Sequence, residues 1–185
     1  EWDEAGIPQK VMMIAQDIGK RHELENLANT DGLTGLFNER YFSSVLHRKE
    51  QKKLPFVLYY LDLDHFKPVN DTYGHDMGDK LLKAVAERLL KCIRSNDFAF
   101  RIGGDEFVSI IFVDESELKK IREDFDEVIS HWSGAMVNKI SISCGYVYSR
   151  EKNWESFEEI ASEADIRMYE AKEKYYSVEG RDRRK

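Results

Sequence analysis

Nowhere in this chain of 185 residues does an apolar run approach the roughly 20 residues that a membrane-spanning helix needs, so the segment is expected to make no membrane contact. Positive charge is also scarce. With 28 Lys and Arg against 35 Asp and Glu, the net charge of −7 argues against a binder of nucleic-acid polymers, which neutralises phosphates with a basic face. Any nucleotide partner must then be held by local basic residues or by a metal ion. Cysteine is almost absent: Cys92 and Cys144 lie in a helical stretch and a strand, without Cys-x-x-Cys or neighbouring His spacing. They read as buried reduced thiols of a cytoplasmic domain, not as a disulfide or a zinc site. No repeat or low-complexity tract is visible. What remains, 42% hydrophobic and 34% charged residues, is the composition of a globular domain able to bury a full core without cross-links.

Residues 1–18 do not read as the start of that domain. Asp3-Glu-Ala-Gly6 signals a turn, Pro8 excludes an early helix, and Lys10 to Ile18 is a strand-like apolar run. Residues 19–30 read as a short connector helix with Leu24 and Leu27 on one face, and residues 31–185 as the main domain. There an amphipathic helix is predicted from Glu39 to Lys52, with Tyr41, Phe42, Val45 and Leu46 inward, followed after Pro55 by a strand from Phe56 to Asp62. The spacing of Leu81, Leu82, Val85, Leu89 and Ile93 predicts a helix from Gly78 to Ser95. Strands over Phe98–Gly103 and Glu106–Phe112, a helix over Ser116–Trp132, a strand over Lys139–Tyr148 and a last helix from Ser156 to about Tyr175 complete the order. It predicts an α+β fold, a ferredoxin-like βαββαβ core with extra helices, in which a central antiparallel sheet is flanked by helices.

The densest chemistry lies in Arg101-Ile-Gly-Gly-Asp-Glu-Phe107. Two glycines directly before two carboxylates, with apolar alternation on either side, describe a hairpin carrying acid at its tip. Glycine tolerates positive φ and lets backbone approach a ligand. A second acidic strand end, Asp62-Leu63-Asp64, closes the run from Phe56 to Leu61. Side by side in one sheet, these would gather three or four carboxylates at one edge, as hard oxygen-seeking cations such as Mg²⁺ require, and the pattern suggests two-metal phosphoryl chemistry. Asp62 and Asp105 are the first candidates for ligands. Asp64 falls on the same face as Asp62, yet it suits a structural bond to nearby backbone equally well, and that role is preferred.

From these residues outward, the chain resembles the GGDEF domain family of diguanylate cyclases. The blocks run in family order across residues 29–175: Asp31-Gly-Leu-Thr-Gly-Leu-Phe-Asn38, Asp62-Leu-Asp-His-Phe-Lys67, Asn70-Asp-Thr-Tyr-Gly-His75 with Gly78-Asp79, the acid hairpin, Ser143-Cys-Gly145, and Ala164-Asp165 through Ala171-Lys172. The resemblance implies a nucleotidyl cyclase fold akin to the polymerase palm. It implies condensation of two GTP into cyclic di-GMP and two pyrophosphates by a homodimer with one GTP per subunit, dependent on Mg²⁺ or Mn²⁺. Metal binding falls to Asp62, the Leu63 carbonyl, Asp105 and Glu106. Asp105, Glu106 and Lys67 are the implied catalytic residues, with Glu106 a metal ligand or the base for the 3′-hydroxyl. His65, Phe66, Lys67 and Lys172 are implied to hold phosphate, and Asn70 and Asp79 guanine; Asp79 also suits a helix N-cap. Arg94-x-x-Asp97 resembles the family's product-inhibition site, with a surface ion pair as the plainer reading, and Arg101 is expected to brace the hairpin.

The stretch before residue 19 resembles the end of a PAS sensor domain. The chain is therefore expected to be part of a longer sensor protein, with this domain cytoplasmic even if the whole is membrane-attached. One departure stands out. Family members close the last helix with Ala-Lys-x-x-Gly-Arg, both basic residues reaching the triphosphate. Here Tyr175-Tyr176 follow Ala171-Lys172-Glu-Lys, and Gly180-Arg181 come about four residues late, with Lys174 as a possible substitute. That departure supports the alternative of a catalytically weak or silent domain acting as a cyclic di-GMP receptor.

Overall fold

The run from Phe56 to Leu61 is apolar toward both of its faces and becomes part of an interior strand of the sheet. The computed structural model of the protein describes residues 27–47, 54–130 and 141–178. The PAS-like stretch, most of the connector helix, the segment around residue 50, and Gly180-Arg181 lie outside the described residues. In chain order the elements are β1 (Phe37–Asn38), α1 (Glu39–Leu46), β2 (Phe56–Leu63), α2 (Phe66–Tyr73), α3 (His75–Cys92), β3 (Phe98–Arg101), β4 (Glu106–Phe112), α4 (Glu115–Ser130), β5 (Ile142–Tyr148) and α5 (Phe157–Val178). The sheet order is β1-β3-β4-β2-β5. Both β4 and β5 run antiparallel to β2, β3 runs antiparallel to β4, and the short β1 joins β3 in parallel. Apart from β1, this is the predicted βαββαβ arrangement.

Alternation along β2 divides the core in two. Val57, Tyr59, Leu61 and Leu63 pack with Leu81, Val85 and Leu89 of α3 and Phe125 and Ile129 of α4. Phe56 and Leu58 face the opposite way, onto Phe42 and Val45 of α1 and Phe157, Ile160 and Ala164 of α5. Burial on both sides is why β2 reads as a continuous apolar run instead of an alternating one. On the second side the approach is very close. A Cβ added to Gly145 of β5 would lie 2.1 Å from the Met168 nitrogen and 2.2 Å from the Ala164 carbonyl oxygen, so only a residue without a side chain lets the α5 backbone lie here.

Several boundaries differ from prediction: α1 ends at Leu46, short of the predicted Lys52, and β3 at Arg101, short of Gly103. Phe66–Tyr73 forms a separate helix where no element is predicted; it buries no residue, so no apolar stripe announces it. Pro68 falls in its first turn, where a missing N–H does no harm. The next helix then starts at His75, after Gly74 at φ +83°, ahead of the predicted Gly78. Asp79 is consequently inside α3 and is not its N-cap.

Burial pushes the Cys92 thiol up to about 11 and the Cys144 thiol up to about 12, and both are free cysteines. Among the described residues, no helix is long and apolar enough to cross a membrane.

The Gly145 contact is testable by stability. Gly145→Ala would press a methyl group against backbone atoms that cannot rotate away, and is expected to cost about 3 kcal/mol, the upper part of the overpacking range. Urea unfolding would register this as a lower midpoint; a midpoint equal to the parent's would show that α5 does not rest on Gly145.

Candidate active site

The acid hairpin is held by the arginine that precedes it. Arg101 donates from Nε and Nη2 to the Gly104 carbonyl at 3.3 and 2.8 Å, and from Nη1 to the two carboxylate oxygens of Asp31 at 3.1 and 3.2 Å. Asp31 also accepts from the Thr34 backbone N–H at 2.8 Å and from its hydroxyl at 2.6 Å. Burial on its own would raise the Asp31 pKa, but these hydrogen bonds and the guanidinium hold it below the ordinary carboxylate value. Arg101 thus forms the brace expected of it. The hairpin glycines are not used for positive φ, which among glycines is found at Gly35 and Gly74 in the described residues. Gly103 instead makes room: a Cβ there would lie 2.5 Å from Glu106 Oε2.

Strand register places Asp62 directly opposite Glu106. Both lie on the face of the sheet that α5 covers, where Lys172 Nζ donates to Asp62 Oδ1 at 2.5 Å and the Asp62 side chain is 8% exposed. Asp105 sits at the turn beside them, its carbonyl accepting from the Leu63 N–H at 3.2 Å. These three acids and Asp165 of α5 border one hollow of about 390 Å³. Negative charge is in excess there. Burial raises the pKa of Asp105, Glu106 and Asp165, and repulsion from Asp62 raises each of them further. Another hollow, of about 460 Å³ around Trp154 and Phe157, has no carboxylate in its lining, so the chemistry belongs to the acid end.

Asp64 is tied into the sheet: the Ser143 hydroxyl donates to its Oδ1 at 2.8 Å, and its own N–H donates to the Ser141 carbonyl at 2.9 Å. These contacts clamp the end of β2 to the start of β5; the carboxylate's partner is a serine hydroxyl on the neighbouring strand, where the sequence suggests a bond to nearby backbone.

Between β2 and α2 the chain turns through His65, a non-glycine residue at φ 60° and ψ 22° and the N-cap of α2. Its N–H donates to the Tyr176 hydroxyl at 3.3 Å. Its ring meets Tyr175 and Tyr176 edge to face, with centroids 5.9 and 5.1 Å away. Every residue predicted to hold metal or phosphate borders the acid hollow: Asp62, Leu63, Asp105 and Glu106, and His65, Phe66, Lys67 and Lys172. The predicted guanine residues stand beyond it at the α2–α3 elbow. Gly78 has no Cβ because the space is filled by Asn70, whose buried Oδ1 has no partner, and Asp79 is exposed at the next position.

Arg94 and Asp97 lie elsewhere, at the turn between α3 and β3. Asp97, 7% exposed, accepts from the backbone N–H of Arg94 at 2.7 Å and of Phe112 at 2.9 Å. The two side chains do not form the surface ion pair considered above. The Arg94 residue is exposed and borders a separate hollow of about 410 Å³ with Leu36, Phe37 and Leu90.

Asp165, Tyr169 and Tyr176 also border the acid hollow and were not among the predicted site residues. Their spacing from Lys172, i−7, i−3 and i+4, puts them on one helical face, a signal that counting from Lys172 could have found.

With this geometry in place, the family model described as diguanylate cyclase, GGDEF domain, matches residues 28–177. Curated relatives include the probable diguanylate cyclase DgcT of Escherichia coli (strain K12), 38% identical over 157 residues, covering 80% of this chain and 34% of that protein. Diguanylate cyclase DgcS of Shewanella oneidensis is 35% identical over 155 residues, covering 81% of this chain and 51% of the relative. The chain therefore spans about a third and about half of the length of these relatives. The solved structure of the coiled coil and GGDEF domain of DgcB from Caulobacter crescentus, in complex with c-di-GMP, matches with a TM-score of 0.73 at 29% identity, covering 89% of this chain and 91% of that one.

The crowding of acids opposes folding at neutral pH. A carboxylate whose pKa is raised by folding favours the fold below its unfolded pKa, near about 4, and loses that contribution as pH rises through the folded value. Asp105→Asn is expected to raise Tm by about 2–4 °C at neutral pH. The gain should vanish near about pH 3, where the parent's carboxylate is protonated in either state. Calorimetry at the two pH values checks this; an equal gain at both would assign the effect to packing.

Proposed function

The chain belongs to the GGDEF family, and on that premise we propose that it is the catalytic domain of a diguanylate cyclase, converting two GTP into cyclic di-GMP and two pyrophosphates. The observation that supports this reading most is the single hollow bordered by Asp62, Asp105, Glu106, the His65 turn and Lys172. In each half of the reaction an O3′–Pα bond forms, the bond from Pα to pyrophosphate breaks, and the 3′-hydroxyl loses its proton.

The donor set fits Mg²⁺ or Mn²⁺. Asp62, Asp105, Glu106 and the Leu63 carbonyl are hard oxygen donors, and the repulsion that raises the Asp105 and Glu106 pKa is what a divalent cation relieves. Among the described residues no three such side chains form a ready-made metal cage, so the ligands would have to draw together around the ion. Bound there, the ion neutralises charge on the transferring phosphoryl group.

The chain's own residues supply the rest. The His65 and Phe66 amides at the start of α2, with Lys67 as a point charge, bind phosphate oxygens, and Lys172 adds a second cation. Asn70 and Asp79 receive guanine; an acid there accepts from the N1 and N2 hydrogens, and adenine has no matching pair of donors. Glu106 has two alternative roles, a further ligand to the ion or the base that takes the 3′-hydroxyl proton. With one GTP per domain, the attacking hydroxyl comes from a second copy held face to face, and an upstream sensor domain would govern that pairing. Cyclic di-GMP bound at Arg94, with Asp97 shaping the turn, would hold the domains in an unproductive arrangement.

One observation favours the alternative of a weak or silent domain that acts as a cyclic di-GMP receptor: Tyr176 and Lys172 already engage the His65 amide and Asp62.

Incubation of the protein with GTP and Mg²⁺, followed by chromatography and mass identification, is expected to yield cyclic di-GMP at a rate rising faster than linearly with protein concentration. Asp105→Ala should lower that rate by about a hundredfold or more without altering the circular dichroism spectrum. Absence of product from an enforced dimer that still binds cyclic di-GMP tightly would establish the receptor instead. Arg94→Ala is expected to relieve inhibition by product while leaving the initial rate unchanged; inhibition equal to the parent's would reduce Arg94 to a surface residue.

A further inference from the structure

On the reading just proposed, the backbone N–H of His65 is a donor for substrate phosphate. That donor is already engaged by the Tyr176 hydroxyl at 3.3 Å. The contact is built from several parts. Tyr176 lies one helical turn beyond Lys172, which bonds Asp62, so two side chains on one face of α5 present a cation to an acid and an oxygen to an amide. The His65 ring packs edge to face against Tyr175 and Tyr176, whose own centroids are 5.4 Å apart. His65 Nε2 is buried with no partner, and the edge-to-face contacts with the two tyrosines pack the ring in place.

We infer that Tyr176 sets the affinity of the phosphate subsite: its hydroxyl holds the His65 amide and must release it before a phosphate oxygen can bind. The ligand class is a polyphosphate, whether part of a nucleotide or free. A neutral phenol oxygen at 3.3 Å is a weak acceptor, whereas a charged phosphate oxygen makes a shorter and stronger bond to an amide. Exchange is therefore favourable when phosphate arrives, but it proceeds at the expense of an existing bond. Because Lys172 and Tyr176 share the end of α5, the residues that greet cation and phosphate are mechanically one unit, while the rest of the helix is fixed against Gly145.

The test is a calorimetric titration of the protein and of Tyr176→Phe, each with Mg²⁺, using two probes: inorganic tripolyphosphate and a GTP analogue with a methylene bridge between the α- and β-phosphorus. Tyr176→Phe keeps the ring and removes only the hydroxyl. Both probes are expected to bind about two- to fivefold more tightly, the lower part of the range for a neutral hydrogen bond because this one is long. Tyr176→Ala should tighten binding at least as much, with circular dichroism reporting an intact fold. If the parent binds both probes and Tyr176→Phe binds them equally or more weakly, the inference is overturned and the cyclase reading stands. Tighter tripolyphosphate binding by the variant, with no binding of the GTP analogue by either protein, would uphold the inference and overturn the guanine assignment. If neither probe binds either protein, both fall.

Discussion

The closeness of α5 to β5 at Gly145 decides what the acid end of the sheet can do. With backbone resting directly on the strand, the helix has no freedom to rise or rotate, and its succession of side chains is delivered at a fixed depth. A rise of about 1.5 Å per residue carries the helix from Met168 roughly 6 Å to Lys172 and roughly the same again to Tyr176. Those residues therefore land beside the end of β2, where Asp62 is, and beside the turn that follows it. The sheet supplies the acids, and the depth of one helix selects which side chains they meet.

The same region breaks several rules of regular packing. Asp62 and Glu106 are like charges directly opposed across two strands, an arrangement that weakens a sheet. His65 adopts a left-handed conformation with a side chain that disfavours it. Asn70 Oδ1 is buried without a partner, next to a glycine whose missing side chain makes its place. Elsewhere the packing is conventional, with apolar layers on both faces of the sheet. Like-charge opposition and a left-handed non-glycine residue gathered at one end are the pattern expected of a working site, although buried polar atoms without a partner also occur away from it, at Tyr59, Ser109, Arg122 and Trp154.

The long elements are legible in the sequence because burial leaves a periodic trace: Leu81, Val85 and Leu89 mark α3, and Phe42 with Val45 marks α1. The α2 helix leaves none, since it buries nothing. The acids are visible as two strand ends, but their direct opposition depends on the β2–β4 register, which no single segment contains. The hairpin glycines invite an argument from φ, whereas Gly103 serves to clear space for Glu106. Asp62 and Lys172 are far apart in the chain, and their bond follows only once α5 is known to rest on Gly145. Likewise the Tyr175-Tyr176 departure is plain in the sequence, while its partner, a backbone amide after β2, is not.

The Asp31–Arg101–Gly104 contact gives the fold a short mechanical path. Asn38 Nδ2 donates to the Ala28 and Thr30 carbonyls at 3.0 and 3.2 Å, so the chain ahead of Asp31 is stitched to the edge of the sheet. From Asp31 the connection reaches the turn carrying Asp105 through one guanidinium, without crossing the hydrophobic core. A pull or twist on the chain ahead of Asp31 thus has a direct polar path to the acid turn, separate from the packing between the layers.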